Sequence, residues 1–277
     1  MVNNQKEQYM RMGIVLMLLC IFFMGHAKDP KEEIQVKGVV GQGLIAGSIS
    51  ELEARRQALN EAKVEALRRA GVSEHLQSYD MLFRSEVNMD YSEFFSSDIQ
   101  SEIQGAVQQY EIVKEQRKLD SATNLFVYEV TIDARVVKYS VKPDPLFDAL
   151  VTGIKGVYEN EEKLVFTIQT TRDCYLNIFN ITDNSTSLMY PNPWEQSKVI
   201  KAGEQINFPF GQVDYYLEKS TSVPENNRLI FVFTKEPMKY LNFAGEDQLT
   251  TAEQIFSWIY SITPDKRKMG YHTFFIR

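Results

Sequence analysis

From Ser50 the chain reads SISELEARRQALNEAKVEALRRAGV, and Ala54, Ala58, Ala62, Ala66 and Ala70 return at every fourth position, the repeat of a single helix face. Ser50 followed at the third position by Glu53 makes a capping box, and Gly71 offers a left-handed stop, so the pattern predicts a helix signalled at both ends. With Leu52 and Leu59 the alanines form a stripe of low relief that lets the helix axis lie close on a sheet. Arg55 and Arg69 fall toward the same face. Their stems either snorkel past its edge, which is the simpler account, or one of them makes a buried ion pair with a sheet residue.

Around this helix the period drops to two. EEIQVKGVVGQGLIAG reads as a strand beginning near Ile34 and running through its own glycines. Further on, Val107, Tyr110 and Ile112, then Phe126, Tyr128, Val130, Ile132 and Ala134, alternate with polar residues on either side of an LDSATN turn, which predicts an antiparallel pair. SEFFSSDIQSEI, between helix and pair, suggests a shorter helix or loop. Strand, helix and paired strands together predict an α+β fold, a small antiparallel sheet with packed helices, over residues 33–140.

Pro143 and Pro145 in SVKPDPLFDAL break the pattern. Beyond them short apolar runs, KLVFTIQ, CYLNIFNI, SLMYPN, QINFPF, VDYYLE and RLIFVFT, alternate with polar turns, the signature of a β-sandwich-like or barrel-like domain over residues 146–277. Thr250 is placed to cap a helix in which Ile255, Phe256, Ile259 and Tyr260 share a face. YHTFFIR then predicts a last strand returning to the sheet.

GQGLIA, with Ala46 in the last place, fits the glycine fingerprint of a dinucleotide-binding turn. That turn starts its helix within the glycines, whereas the helix signals here begin at Ser50, and no strand ending in an acidic residue follows. Gly38, Gly41, Gly43 and Gly47 are better read as a bulge, close packing and a turn into the helix.

The amino terminus changes the picture of where the protein works. Lys6 and Arg11 precede an uncharged run from Gly13 to Met24, then Gly25 and Ala27 stand at export-peptidase spacing. About twelve apolar residues fall short of the ~20 that span a bilayer. Residues 1–27 therefore read as a cleavable signal peptide, with an uncleaved anchor and lipidation at Cys20 as alternatives. Membrane association is expected only through one of those alternatives, and the expected location is the periplasm or the wider cell envelope. Removing these residues takes away Lys6, Glu7 and Arg11 and leaves the chain acidic, as it is over its full length at −7. An acidic chain with no basic block disfavours a nucleic-acid partner. One cysteine remains, Cys174, so no internal disulfide forms. Two sequons, at Asn180 and Asn184, read as turn chemistry.

Two resemblances follow from these stretches. VKGVVGQGLIAGSISELEARRQALNEAKVEALRRAGV, then Gly105, Val107, Tyr110 and Ile112 in SEIQGAVQQYEIVKE, then FVYEVTIDARV, resemble the amino-terminal domain of the flagellar assembly protein T family and related small envelope lipoproteins, over Glu33 to Tyr139. The resemblance implies an envelope-located α+β module used for assembly and contact. LVFTIQTTRDCYLNIFNITDNSTSLMYPN, VIKAGEQINFPF and LIFVFTKEP resemble a bacterial domain of unknown function numbered 4384, from Leu146 to the end. Cys174 stands where that domain has Gly, so it inherits no role from the resemblance.

Candidate chemistry is sparse. After residue 27 the histidines are His75 and His272, in different halves. Cys174 with His272 could form a thiol nucleophile, although a strand cysteine is more simply a small buried apolar group. Asp144 with Asp148, and Glu159 with Glu161 and Glu162, lie in a linker and a charged turn, where solvated carboxylates are not poised as acid and base. No catalytic residue, metal site or cofactor is expected. LMYPNPWEQ is the candidate binding loop: Tyr190, Pro191, Asn192, Pro193 and Trp194 could present rigid aromatic faces to a protein partner or a sugar ring. The competing account folds Trp194 over the open end of the sandwich. The expectation is a non-catalytic assembly or protein-interaction factor of the envelope, with an envelope protein as partner. The alternative is a glycan or peptidoglycan binder using the aromatic loop.

Overall fold

The computed structural model describes residues 31–72, 81–85, 95, 105–121, 123–182, 184–211, 213–219, 222–240 and 251–277. Residues 1–27, His75, Thr250 and the SEFFSSDIQSEI segment apart from Phe95 lie outside the described residues. Strand β1 (Lys31–Ile45) leads into helix α1 (Glu51–Arg69), and β2 (Gly105–Asp120) and β3 (Leu125–Tyr139) form the expected hairpin. The sheet order is β1-β3-β2, antiparallel throughout. Ser50 caps α1 with the reciprocal Glu53 contact. Gly38, at a φ of +60°, sits in a bulge between Val36 and Val39, and its N–H donates to Asp133 Oδ1 at 2.7 Å.

The alanine stripe explains the glycines. Ala54, Ala58, Ala62 and Ala66 have no exposure. A Cβ on Gly41 would lie 2.1 Å from the Ala58 carbonyl oxygen, and one on Gly43 would lie 1.8 Å from that of Ala54. Helix and strand therefore touch backbone to backbone, which only residues without a Cβ permit. Two details of the stripe differ from expectation. Leu52 is 57 % exposed, because it lies two residues from Ala54 and so on the opposite side of the helix from the stripe, and Leu59 is only partly buried. Arg55 pairs with Glu115 of β2 at 2.7 Å, but both side chains are about one-third exposed, so the ion pair is made at the rim. Arg69 pairs with Glu65 at 3.1 Å along its own helix.

In the second half, β4 (Ala149–Thr152), β7 (Phe166–Thr170) and β10 (Gln205–Phe208) form one sheet, ordered β10-β7-β4. A larger sheet runs β5-β13-β12-β8-β9, built from β5 (Val157–Tyr158), β8 (Tyr175–Thr182), β9 (Thr186–Tyr190), β12 (Glu225–Thr234) and β13 (Arg267–Ile276). Short strands β6 (Glu162–Lys163) and β11 (Tyr216–Leu217) pair separately. Phe166, Ile168 and Phe208 of the smaller sheet share a buried cluster with Leu176, Ile178, Leu229, Phe231 and Phe233 of the larger one. Phe166 stacks on Phe208 at 4.5 Å and meets Phe231 edge-on at 5.4 Å. The chain is thus rich in sheet with few helices, compatible with the α+β expectation and with a sandwich-like second half.

RLIFVFT is a continuous apolar run because β12 is covered on both faces. While Leu229, Phe231 and Phe233 face the smaller sheet, Ile230 and Val232 join Phe179 and Ile181 in a second cluster that also contains the buried stripe of α1. The link between these layers is helix α2 (Ala252–Ile259), whose Ile255, Phe256 and Ile259 are buried. Its cap is Thr251, one residue later than expected, with Gln254 reciprocating. Four polar contacts fix α2 and its end to the first half: Ser257 Oγ donates to the Gln108 carbonyl at 2.5 Å, Lys63 Nζ reaches Glu253 Oε1 at 2.8 Å, the Tyr110 hydroxyl donates to Glu253 Oε2 at 3.3 Å, and the Tyr139 hydroxyl donates to the Tyr260 carbonyl. Buried Arg267 donates to the carbonyls of Ile259 and Ile262 at the helix end, where cationic donors meet unpaired oxygens. Lys31–Arg277 accordingly forms one compact unit with a shared core.

Candidate functional site

Residues 190–198 leave the end of β9 and turn back over the sheet. Tyr190 does not face outward: it is fully buried, with its ring 4.9 Å from Phe210 and 6.3 Å from Phe208. Its hydroxyl donates to the Gln196 carbonyl at 3.1 Å and accepts from the Lys198 N–H at 3.2 Å, closing the loop on itself. Burial pushes the phenol up to about 12. Tyr190 is therefore a core residue and cannot stack on a ligand, because a ring this well packed has no free face.

Asn192 organises the turn. Its Oδ1 accepts from the N–H groups of Trp194 at 3.0 Å and Glu195 at 2.8 Å, an Asx-type arrangement, while Nδ2 donates to the Met189 carbonyl and the Tyr215 hydroxyl at 2.8 and 2.7 Å. Tyr215 in turn donates to Glu195 Oε2 at 2.7 Å. Burial and the neighbouring carboxylate both push the Tyr215 phenol upward. The Glu195 side chain is buried, and its Oε1 has no partner among the described residues. With the bonds of its turn spent on Asn192 and Tyr215, the loop projects one large side chain: Trp194 is 76 % exposed. The account in which Trp194 closes the sandwich is overturned, since Tyr190, Phe208 and Phe210 fill that end. Pro191 and Pro193 flank Asn192 as expected, and the Tyr190–Pro191 bond is cis.

The other candidates do not converge. Cys174 bridges to Ile200 one residue before the Tyr175–Thr234 pair, whereas His272 pairs with Leu229. Some six residues of β12 separate the two levels, about 20 Å at the rise of a strand. Cys174 is fully buried, which pushes its thiol up to about 11, far from a reactive thiolate. Three of the five candidate carboxylates meet a lysine: Asp144 meets Lys235 at 2.6 Å, Asp148 meets Lys268 at 3.0 Å, and Glu162 meets Lys155. These lysines hold all three carboxyls below their ordinary values, the opposite of what a general acid requires. Among the described residues no three His, Cys, Asp or Glu side chains gather as metal ligands, and no helix is long and apolar enough to cross a membrane.

A second concave feature was not foreseen. A cleft of about 640 Å³ opens between β2 and α2, with Gln108 and Tyr110 on one wall and Tyr240, Ser257, Trp258 and Ser261 on the other. Gln108 is the extra residue of a bulge, since Val107 pairs with Val136 and Gln109 with Arg135, its immediate neighbour. Nothing in the local sequence marks it, because a bulge between paired strands is set by the register of the partner.

Residues 157–237 match the model of a domain of unknown function, DUF4384. The match runs from β5 to just beyond β12 and takes in the 190–198 loop, but not α2 or β13. No curated protein matches the chain.

Proposed function

We propose that the protein is an exported bacterial envelope protein that holds another envelope protein, as a non-catalytic assembly or interaction factor. The observation that carries this reading is the exposed indole of Trp194 on a hydrogen-bonded loop. Rigid, exposed aromatics are the usual anchors of protein interfaces, since they bury much area while losing little conformational freedom. Export rests on the pattern of residues 1–27, and the assembly role on the resemblance of residues 33–139 to the flagellar assembly protein T amino-terminal domain. We read the second half as a β-sandwich that serves as the platform for the loop. The burial of Tyr190 counts against a glycan site here, because a single indole gives a sugar no second stacking surface.

The test is capture from an envelope extract with wild-type and Trp194→Ala baits. A defined protein held by the wild type and released by the variant supports the proposal. Equal retention by both, or retention of polysaccharide alone, refutes it.

A further inference from the structure

The larger sheet ends at β9, which pairs with β8 on one side and has no strand on the other among the described residues. The Thr182 N–H donates to the Ser185 carbonyl at 2.8 Å across the hairpin turn, which sets the alternation of the pair. Ser187 therefore turns inward to Asn180, while the N–H and C=O of Thr186 and Leu188 point away from the sheet. Neither of those residues has a main-chain bond from outside the sheet among the described residues. Exposed edges are ordinarily blunted by charge or proline, yet no charged residue stands between Asp183 and Glu195, and β9 itself holds no proline. Its one defence is a bulge: Leu188 pairs with Phe179 and Tyr190 with Ile178, so Met189 is the extra residue and the open stretch stops at Leu188. Asn192 joins this end of the edge to the exposed indole, since its Nδ2 donates to the Met189 carbonyl at 2.8 Å and its Oδ1 accepts from the Trp194 N–H at 3.0 Å.

Main-chain donors and acceptors left open at every second residue match an extended polypeptide, whose own N–H and C=O groups repeat at the same spacing. Two residues of such a segment would satisfy Thr186 and Leu188 with four hydrogen bonds. Leu188 and Met189 beside the edge are partly buried and uncharged, so a charged side chain on the incoming strand would lose water without gaining a counter-ion. A second copy of β9 would make the same four bonds about Ser187. That contact, confined to Thr186–Leu188, falls far below the ~800 Å² per partner of a stable interface, and both copies carry −7. A different protein meets the shortfall by also covering Trp194, the large exposed side chain at the end of the edge. We infer that β9 takes an extended, uncharged segment of the partner protein as an added strand, with Trp194 anchoring the partner beside it. This rests on the proposed role of Trp194 and adds the chemistry of what that site holds.

The probe is a peptide selected on the full chain from a phage-displayed library of random dodecapeptides, then synthesised with a fluorescent label. A saturable change in its anisotropy is expected. N-methylation of alternate residues in the peptide should weaken binding about tenfold for each bond lost, whereas N-methylation of the residues between them should not. Thr186→Pro removes an N–H that the inner ladder does not use, a change that edge strands tolerate, and should also weaken binding about tenfold. Ser187→Lys, which sets a charge on the edge, is the second variant should the first fail to fold, and it too should weaken binding. Trp194→Ala should weaken binding of the same peptide. The inference is overturned if no peptide is enriched, if N-methylation has no alternating effect, or if the edge substitution that folds leaves affinity unchanged. It is also overturned if light scattering shows a dimer that this substitution dissociates, which would give the edge to a second copy. Loss with Trp194→Ala alone overturns the added strand and leaves Trp194 as an anchor, whereas loss with the edge variants alone upholds the added strand and refutes the role of Trp194.

Discussion

Replacing Gly41 or Gly43 by alanine tests the packing of α1 on β1 at its closest point. Contacts of a real Cβ begin near 3 Å, so the added carbon, at 2.1 Å from Ala58 O or 1.8 Å from Ala54 O, demands a shift of about an ångström or more. The obstacle in each case is helix backbone, which cannot turn aside as a side chain can. The helix must therefore lift, and the fully buried faces of Ala54, Ala58 and Ala62 lose contact with the sheet together. Overpacking of this kind costs about 1–3 kcal/mol, and a backbone obstacle places both variants at the upper end, about 3 kcal/mol each. Gly156→Ala is the control: nothing stands within 4 Å of its added Cβ, so it should stay within about 0.5 kcal/mol of wild type. Urea unfolding followed by circular dichroism gives the three values. Gly41→Ala and Gly43→Ala proteins as stable as the Gly156→Ala protein would refute the close approach and return the GQG stretch to candidacy for backbone contact with a phosphate. Ala58→Gly should not rescue Gly41→Ala, because the atom in the way is a carbonyl oxygen.

Other expectations follow from the charged and titratable groups. Lys63 is almost fully buried while Glu253 is half-exposed, so Glu253→Gln, which removes the carboxylate from a desolvated ammonium, should cost about 1–3 kcal/mol, whereas Lys63→Met leaves Glu253 able to hydrate and should cost less; the reverse order in denaturant midpoints would contradict this. With its thiol raised to about 11, native Cys174 at pH 8 should alkylate with iodoacetamide on the order of 10²-fold more slowly than in the urea-unfolded chain, and comparable rates would show that the thiol is not buried. Burial lowers the His272 imidazole below its ordinary 6.5, so the unfolded chain takes up that proton first as the pH falls. The contribution is whole above pH 6.5 and is lost as acid carries the pH down through the folded value. Wild type should then lose more melting temperature than His272→Gln between pH 7.5 and 5, and equal losses would count against it.

What was legible in the sequence, and what was not, divides along the reach of the interactions involved. The capping box at Ser50, the alanine repeat, the LDSATN hairpin and the glycine spacing are local or depend on one neighbour, and each element lies where its pattern places it. The position of Trp194 depends instead on which ring fills the end of the larger sheet. Tyr190 and Trp194 are both aromatic and lie four residues apart, yet the buried one is decided by Phe208 and Phe210, contributed by a strand and loop some twenty residues later. The same holds more strongly for the cleft. Its Gln108 becomes a wall residue only because β3 skips it in the register, and Trp258 faces it only because α2 bridges to β2 through Ser257, which donates to the Gln108 carbonyl, and Glu253, which accepts from the Tyr110 hydroxyl. The helix that reads as an appendage of the second half thus joins the two halves: beyond Pro143 and Pro145 the sheet changes and one buried cluster is the second half's own, while the other draws on both halves. Because α2 is tied to both halves, Glu253→Gln should lower the urea midpoints read by tryptophan emission, which reports the second half, and by far-ultraviolet circular dichroism, which reports both, by the same amount, and midpoints that separate would show that the halves do not share their stability.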